Sequence, residues 1–253
     1  MALDTRTRLR TPFAADLSLP PPFTLVTLRE SGDAFAHAMG IAGERGAGTL
    51  VYVGRFDLAE FAVVMEPEEP LRTARRAFYA GMAALSDALI AQAPPDVPVT
   101  IDWPDALRVN GGLVGGGRLG WPQGVGEDET PPWVVFGAMI RTVSMSEQEA
   151  GLTPLSTALE DEGFSDFLSN QLVEGFARHL MVAFDAWKEQ GFGAVSKAYL
   201  PRLITEQGVR RELDDNGDLL TRRLGKAAAE RKQLLGALAA PSWLDAKTGG
   251  PSR

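Results

Sequence analysis

The sequence predicts an α+β fold, in which a mixed, mostly antiparallel sheet is flanked by helices and followed by a small C-terminal appendage. Short runs of β-branched and aromatic residues alternate with turn residues, as in strands of such a sheet. Two longer stretches carry apolar residues at every third or fourth position, as in amphipathic helices, and the composition changes after Pro201. A chain of 253 residues is long enough to bury a full core in one large domain.

Strands are predicted where β-branched and aromatic runs lie between turn residues. Gly54-Arg55-Phe56-Asp57 joins two such runs into an antiparallel pair. Asn110-Gly111 predicts a type I′ hairpin, because this two-residue turn needs positive φ at both positions. The run 133–143 is long and apolar, so we expect it in the middle of the sheet. The predicted strands are 23–28, 49–53, 58–65, 99–103, 106–110, 113–119 and 133–143.

Helices are predicted where apolar residues recur at helical spacing. One stripe runs from Leu71 to Leu89 and stops before Pro94-Pro95. The second runs from Leu168 to Trp187, with Ser165 as its predicted cap and Gly191 at its end. Ser31-Gly32-Asp33 can cap a short helix that runs through Ala42. The other short predicted helices are 153–162, 192–200 and 226–240, and the predicted loops are 43–48 and the mobile, acid- and glycine-rich 123–132.

The chain divides into three predicted segments. Residues 1–20 are expected to be a flexible N-terminal segment, and residues 21–204 form the main domain. Residues 205–253 form the appendage, which carries a hairpin of strands 209–213 and 219–224 around an Asn216-Gly217 turn. About fifty residues are too few for a separate core, so the appendage has to dock on the main domain. Its end, from residue 248, is expected to be frayed.

Composition excludes several classes of function. A net charge of −8 argues against a nucleic-acid partner, which requires a clustered basic surface. The absence of cysteine excludes disulfides, thiolate metal sites and cysteine nucleophiles. The two histidines, His37 and His179, lack ligand spacing and are expected to be ordinary helix residues, so no metal site is predicted. No apolar run reaches the length of a membrane span or a secretory signal, which favours a cytoplasmic protein without a membrane partner.

The stretch 102–122 is the densest in residues with special backbone uses. Gly115, Gly116 and Gly117 lie inside its returning strand, where glycine weakens pairing and indicates a bulge or a close approach. Two interpretations are open. The acyl chain or phosphate of a ligand lies against this backbone, or the glycines serve only the packing of the sheet.

The same stretch resembles the signature of the biotin protein ligase and lipoate ligase superfamily. In that family a Lys-Trp-Pro-Asn-Asp segment precedes a hairpin and a Lys-x-Ala/Ser-Gly strand. Here the frame holds Asp102-Trp103-Pro104-Asp105-Ala106 and then Leu113-Val114-Gly115-Gly116. The strand 133–140 is similar to the family's Val-Val-Ile-Gly-Ile-Gly-Ile-Asn strand, and residues 186–192 with Tyr199 are similar to its closing helix and Gly-Phe turn. The resemblance covers residues 23–203 and implies the family's antiparallel sheet flanked by helices.

The resemblance implies a small carboxylic-acid ligand, biotin, lipoate or octanoate, with a biotinyl or lipoyl carrier domain as partner and ATP with Mg²⁺ for activation. Important residues differ from the family pattern. The family's ligand-gripping lysine falls at Leu113, its first lysine at Asp102, and its later asparagine at Arg141. Since activating a carboxylate depends on fixed cations and donors at the reacting groups, we expect adenylation to be impaired.

No catalytic residue is assigned, and several of the candidate binding residues have two interpretations. Gly54-Arg55 is either a shortened adenylate loop or a plain turn with a solvated arginine, and Asp102 and Asp105 are either cation ligands or solvated turn residues. Arg118 lies five positions after Leu113 and reaches the same face only if a bulge intervenes. The cofactor-binding candidates are Gly54, Arg55, Trp103, Pro104, Asp105, Gly115, Gly116, Gly117, Arg118 and Arg141, of which Arg141 is the first candidate for an anion partner.

Two functional hypotheses remain open. The first is a ligase or acyltransferase that attaches biotin, lipoate or octanoate to a carrier-domain lysine. The second is a ligase-like binding or sensor protein that has lost catalysis and binds the cofactor, its adenylate or the carrier domain. A scaffold that acts through its appendage is a third interpretation, for which the sequence gives no positive support.

Overall fold

The structure is a computed structural model that describes residues 17–30, 32–144, 155–164 and 169–252. Its centre is a seven-stranded sheet. The strands are β1 (Thr24–Leu28), β2 (Thr49–Gly54), β3 (Leu58–Met65), β4 (Val99–Asp102), β5 (Ala106–Val109), β6 (Gly112–Gly120) and β7 (Val134–Arg141). They lie in the order β1-β2-β3-β7-β6-β5-β4, and every neighbouring pair is antiparallel except β1 with β2. The predicted mixed, mostly antiparallel sheet is confirmed, and β7 is its middle strand, as its apolar sequence predicts.

Helices cover both faces of the sheet. Those in the main domain are α1 (Ala34–Arg45), α2 (Leu71–Ala74), α3 (Ala77–Ile90), α4 (Ser169–Gln190) and α5 (Phe192–Tyr199). The large core lies between the sheet and α3, α4 and α5, which we call the bundle face. On the opposite side, the α1 face, Ala34, Ala38 and Ala42 of α1 pack against Val51 and Val135. Successive strand residues alternate between these faces, so each side chain of β6 and β7 can be assigned to one of them.

Two predicted helices differ from the structure. The stripe from Leu71 to Leu89 is divided at Arg75-Arg76 into α2 and α3. The helix predicted for 153–162 begins outside the described residues, and residues 155–164 contain no helix. The reason is pairing with β6: the amide of Leu113 donates to the carbonyl of Leu155, and the amide of Thr157 donates to the carbonyl of Leu113. The predicted Ser165 cap also lies outside the described residues.

The two predicted loops differ from expectation as well. α1 continues to Arg45 and ends at Gly46, whose positive φ of 75° lets its amide bond the carbonyl of Ala42. The loop 123–132, which the sequence predicted to be mobile, is mostly exposed but is bonded to α2 and Arg75. The amide of Leu71 donates to Glu129, and Arg75 Nη1 lies 2.6 Å from a carboxylate oxygen of Glu127.

The appendage docks on the main domain. It contains β8 (Val209–Leu213), β9 (Leu219–Arg223), β10 (Glu230–Lys232) and α6 (Leu234–Leu238). The predicted hairpin is therefore present, but the predicted helix 226–240 is wrong in its first half, because β10 pairs there with β9. Tyr79 Oη donates a 2.6 Å hydrogen bond to the carbonyl of Gly217, and Leu219 and Leu234 join the core of the main domain.

The end of the chain is ordered as far as it is described. The tail predicted to fray from residue 248 is held by a β-bridge between Leu244 and Pro251 and by the amide of Ser252, which donates to the carbonyl of Trp243 at 2.7 Å. Of the predicted flexible N-terminal segment, residues 1–16 lie outside the described residues. Within the described ranges, no helix combines the length and apolar character that a membrane span requires.

Candidate functional site

A bulge in β6 decides which side chains share the α1 face. Asn110 and Gly111 have φ of 50° and 84°, which confirms the predicted turn. Beyond it, Arg108 pairs with Leu113 while Leu107 pairs with Gly115, so Val114 is an extra residue in β6. This bulge precedes the three glycines instead of lying within them. Because of it, Leu113 and Arg118 point to the same face although they are five residues apart.

The three glycines of β6 are approached by protein atoms. A Cβ at Gly115 would lie 1.9 Å from the carbonyl oxygen of Met139, and one at Gly116 would lie 2.4 Å from Cδ1 of Trp243. A Cβ at Gly117 would lie 2.6 Å from Sδ of Met82, on the bundle face. These contacts support the packing interpretation of the glycines.

Arg118 is held over the first turn of α1. Its Nη2 donates to Asp33 Oδ1 at 2.9 Å, and its guanidinium carbon lies 4.2 Å from the centroid of the Phe35 ring. Burial lowers the pKa of Arg118, whereas the carboxylates of Asp33 and Glu60 raise it. The side chain is 17% exposed, so it is an accessible cation on the α1 face.

Glu60 is a buried carboxylate beside Arg118. It lies in β3 opposite Met139, and its Oε1 accepts a 2.8 Å hydrogen bond from the amide of Ala34, in the first turn of α1. Burial raises the pKa of Glu60, while the hydrogen bond from Ala34 and the charges of Arg55 and Arg118 lower it. Arg55 Nη1 lies 4.0 Å from the other oxygen, Oε2.

Arg55 is bound within its own turn. Its Nε and Nη2 donate to the two oxygens of Asp57 at 3.0 and 2.8 Å. Gly54 before it has open space around its Cβ position. No described hydrogen bond joins Gly54 or Arg55 to the glycines of β6. The interpretation of this segment as a plain turn therefore fits the geometry.

Sequence reasoning missed Asp33, Phe35 and Glu60 as parts of this site. We call the group Asp33, Arg55, Asp57, Glu60 and Arg118 the charged cluster. Glu60 gave one usable signal, because it is the single charged residue in the apolar run of β3, and a charge buried in a strand requires a partner. Asp33 was predicted only as a helix cap, which it is: its Oδ1 accepts from the amide of Ala36.

The last described residues cover the part of the α1 face formed by β5, β6 and the neighbouring ends of β3 and β7. Residues 241–252, here called the C-terminal cover, insert the fully buried Trp243 against Leu58, Ala106, Leu113 and Met139. Trp243 Nε1 donates a 2.9 Å hydrogen bond to the carbonyl of Gly117. Gly116, beneath the indole, and Arg118 are two residues apart in β6, so Trp243 and Arg118 are neighbours on one face.

Arg141 and Asp105, two of the predicted binding residues, form hydrogen bonds with the C-terminal cover. Arg141 Nη2 donates to the carbonyls of Pro251 at 2.6 Å and Ser252 at 3.2 Å, and its Nη1 donates to Thr157. The carboxylate of Asp105 accepts from the amide and the hydroxyl of Ser242. Burial raises the pKa of Asp105 to about 6, although the bonds from Ser242 lower it. Asp105 is therefore a buried residue, not a solvated turn carboxylate.

Trp103 and Pro104 belong to the bundle side. Trp103 Nε1 donates to Tyr79 Oη at 3.2 Å, and the carbonyl of Pro104 accepts from Tyr199 Oη at 2.8 Å. Asp102 is exposed, 3.6 Å from Arg108. Within the described part of the chain, no group of three or more histidine, aspartate or glutamate side chains is placed to hold a metal ion.

The sequence matches the profile of one known protein family. The profile of the Biotin/lipoate A/B protein ligase family matches residues 19–201. The chain belongs to this family. None of the curated proteins compared with it by sequence is a match.

Solved structures agree with this membership. A biotin protein ligase-like protein of unknown function from Silicibacter sp. TM1040 is 28% identical, with a TM-score of 0.75 over 88% of this chain and 99% of that one. The biotin protein ligase of Aquifex aeolicus has the same fold. Its apo structure is 14% identical, with a TM-score of 0.63 over 83% of this chain and 95% of that one. Its complex with biotin and ATP is 13% identical, with a TM-score of 0.59 over 83% and 99%.

Within this biotin/lipoate ligase fold, the α1 face combines an apolar patch with several arginines. Leu113, at the position that the motif resemblance gives to the ligase lysine, is apolar and packed on Trp243. The cross-strand partner of Leu113 is Arg108, which lies 3.6 Å from Asp102 and donates to the carbonyl of Gly111. Further along the strands, Arg118 is engaged by Asp33 and Arg141 by the C-terminal cover. On this face, Trp243 lies over Gly116, and the guanidinium of Arg118 lies on the same side of β6.

Proposed function

We propose that this family member is a ligase-like binding protein for a small carboxylic acid of the biotin, lipoate or octanoate class, free or as its adenylate. The ligand binds on the α1 face beside Arg118. The observation that carries the proposal is the position of the cation on β6. Leu113 supplies no cation, whereas the bulge at Val114 brings Arg118 to the same face. Arginine recognises a carboxylate through two parallel hydrogen bonds, which suits it to this ligand.

ATP-dependent activation is not part of the primary proposal, because the described residues around Leu113 do not fit a triphosphate. Apolar side chains, among them Leu58 and Leu113, pack with Trp243. Arg108, the cross-strand partner of Leu113, is already engaged by Asp102 and by the carbonyls of Gly111 and Leu155. The nearby Asp105 carboxyl would repel an anion whenever it is ionised. Stabilising charge on an activated carboxylate and its phosphate requires fixed cations aimed at that point. We therefore expect binding without formation of an adenylate from ATP.

The test is a thermal-shift and calorimetry panel of biotin, lipoate, octanoate and their adenylates against the wild-type protein and two variants. A ligand that binds only the folded state raises its melting temperature by mass action. Arg118→Met is expected to weaken binding by about tenfold or more, as for loss of one charge-assisted contact. Arg178→Met, at an exposed arginine of α4, is the matched control and is expected to bind as wild type. Absence of binding to the wild-type protein would refute the proposal.

The second candidate function is an active ligase or acyltransferase that modifies a lysine of a biotinyl or lipoyl carrier domain. The position of Arg118 favours it, because this cation shares the face of the position where the family has its lysine. The measurement is pyrophosphate release and a mass shift on an added carrier domain, with ATP, Mg²⁺ and each acid. Turnover that persists in Arg118→Lys and is lost in Arg118→Met would establish this function in place of the first.

A further inference from the structure

We propose that the C-terminal cover is an internal stand-in for the ligand of the α1 face, and that a ligand has to displace it. The cover itself is inferred from contacts in this chain, and only the identity of its competitor rests on the proposed function. The cover supplies an apolar ring with an N–H donor and, at its other end, oxygen acceptors for an arginine. These are the features that a ligand of this face would have to replace.

The ring of the cover occupies the space over the glycines. Trp243 is fully buried, and its neighbours Leu58, Leu113 and Met139 present apolar surface to the indole. A Cβ at Gly116 would lie 2.4 Å from the ring, so glycine is what allows the ring to approach the strand. Removal of the indole leaves a space lined by these apolar side chains, in which the carbonyl of Gly117 has lost its donor Nε1. An apolar ligand group with an N–H donor would satisfy the same surface.

The polar end of the cover occupies the guanidinium of Arg141. Two backbone carbonyl oxygens, those of Pro251 and Ser252, accept from the single nitrogen Nη2. Carbonyl oxygens are neutral acceptors, and a carboxylate in their place forms a stronger, charge-assisted pair with a guanidinium. Arg141 is therefore a second position on the α1 face, besides Arg118, at which an acidic group would pair once the cover has left.

The attachments of the cover can be broken without unpairing the sheet. β6 and β7 pair with each other and with β5 and β3, and the cover adds no strand to them. Its described hydrogen bonds to the main domain start from Ser242 and Trp243 at one end and reach Pro251 and Ser252 at the other. The turn between these ends, residues 246–249, is exposed. Displacement thus breaks these hydrogen bonds and the packing of Trp243, but leaves the strand pairing of the sheet intact.

The first test needs no ligand. Native-state hydrogen exchange on the full-length protein compares the amides of Ser242, Asp245 and Ser252 with those of β7. A displaceable cover opens locally, so we expect its amides to exchange at least about tenfold faster than the β7 amides, without global unfolding. Equal protection of both groups would overturn the proposal, because the cover would then leave only when the whole domain unfolds.

The second test measures competition. A ligand that binds only the open state has an apparent affinity that is reduced in proportion to the fraction of protein that is open. Trp243→Ala weakens the cover, so we expect it to bind the ligand at least about tenfold more tightly than wild type. Trp187→Ala, at a half-buried tryptophan of α4, controls for loss of an indole elsewhere and is expected to bind as wild type. Equal or weaker binding by folded Trp243→Ala would contradict the proposal that the cover competes with the ligand. If the wild-type protein binds no acid or adenylate of the panel, the proposed function is wrong, and hydrogen exchange alone tests whether the cover opens.

Discussion

Asp105 accepts two hydrogen bonds from Ser242, at 2.8 Å from its amide and 2.6 Å from its hydroxyl, although the residues are 137 positions apart in the chain. This pair fastens the beginning of the C-terminal cover to the turn before β5. We expect Ser242→Ala to lower the free energy of unfolding by about 1 to 2 kcal/mol, because it removes one hydrogen bond to a buried carboxyl group. Urea denaturation measures the change. Ser196→Ala, on α5, is the control and is expected to change stability by less than about 0.5 kcal/mol.

The same carboxyl group predicts a pH dependence. The pKa of Asp105 is raised by burial from 3.8 to about 6 in the folded protein. A raised pKa means that the folded state holds the proton more tightly, so this contribution is fully present below about pH 4 and is lost as the pH rises through about 6. The loss corresponds to about 2 to 3 kcal/mol for a shift of roughly two units. Asp105→Asn cannot titrate and is expected to lack this contribution.

The measurement for Asp105 is the difference in unfolding free energy between wild type and Asp105→Asn at about pH 4.5 and about pH 7.5. Taking the difference removes the contributions of the other titrating groups. We expect wild type to lose stability relative to Asp105→Asn as the pH rises. A difference that is constant across this range would show that Asp105 has an ordinary pKa.

Gly116 and Gly40 form a matched pair of glycine positions. A Cβ at Gly116 would lie 2.0 Å from the carbonyl oxygen of Asp105 and 2.4 Å from Trp243, so Gly116→Ala is expected to cost about 1 to 3 kcal/mol or more through overpacking. Gly40 lies in α1 with nothing within 4 Å of its Cβ position, so Gly40→Ala is expected to stabilise the protein by up to about 1 kcal/mol. Thermal unfolding of both variants checks the prediction, and a stable Gly116→Ala would contradict the close approach of Trp243.

Glu60 offers a test of the charged cluster. Glu60→Gln keeps an acceptor for the amide of Ala34 and removes a charge that burial disfavours, so little loss of stability is expected at neutral pH. Glu60→Ala removes the acceptor and leaves the amide unpaired, which is expected to cost about 1 to 3 kcal/mol. Chemical denaturation should therefore rank wild type and Glu60→Gln well above Glu60→Ala. Equal stability of the two variants would mean that the bond to Ala34 contributes nothing.

The sequence predicted the sheet well because the relevant signals are local. Strand residues alternate between faces, Asn110-Gly111 tolerates the positive φ of its turn, and the apolar run of β7 requires burial on both sides. Helix prediction was weaker where a neighbouring element supplied the hydrogen bonds. Residues 155–157 bond to β6, and residues 230–232 pair with β9, so tertiary contacts replaced the helical ones that the sequence allowed.

The sequence by itself determined the fold class, the order of the strands along the chain, the β5–β6 hairpin and the apolar character of Leu113, because each depends on residues close together in the chain. Only the tertiary structure decided the place of Trp243, the face of Arg118 and the partners of Asp105 and Arg141. One extra residue, Val114, reverses the side to which Arg118 points, and no periodicity reveals that register. Trp243 reaches Gly117 over 126 positions, and packing selects such a contact among many that the sequence permits.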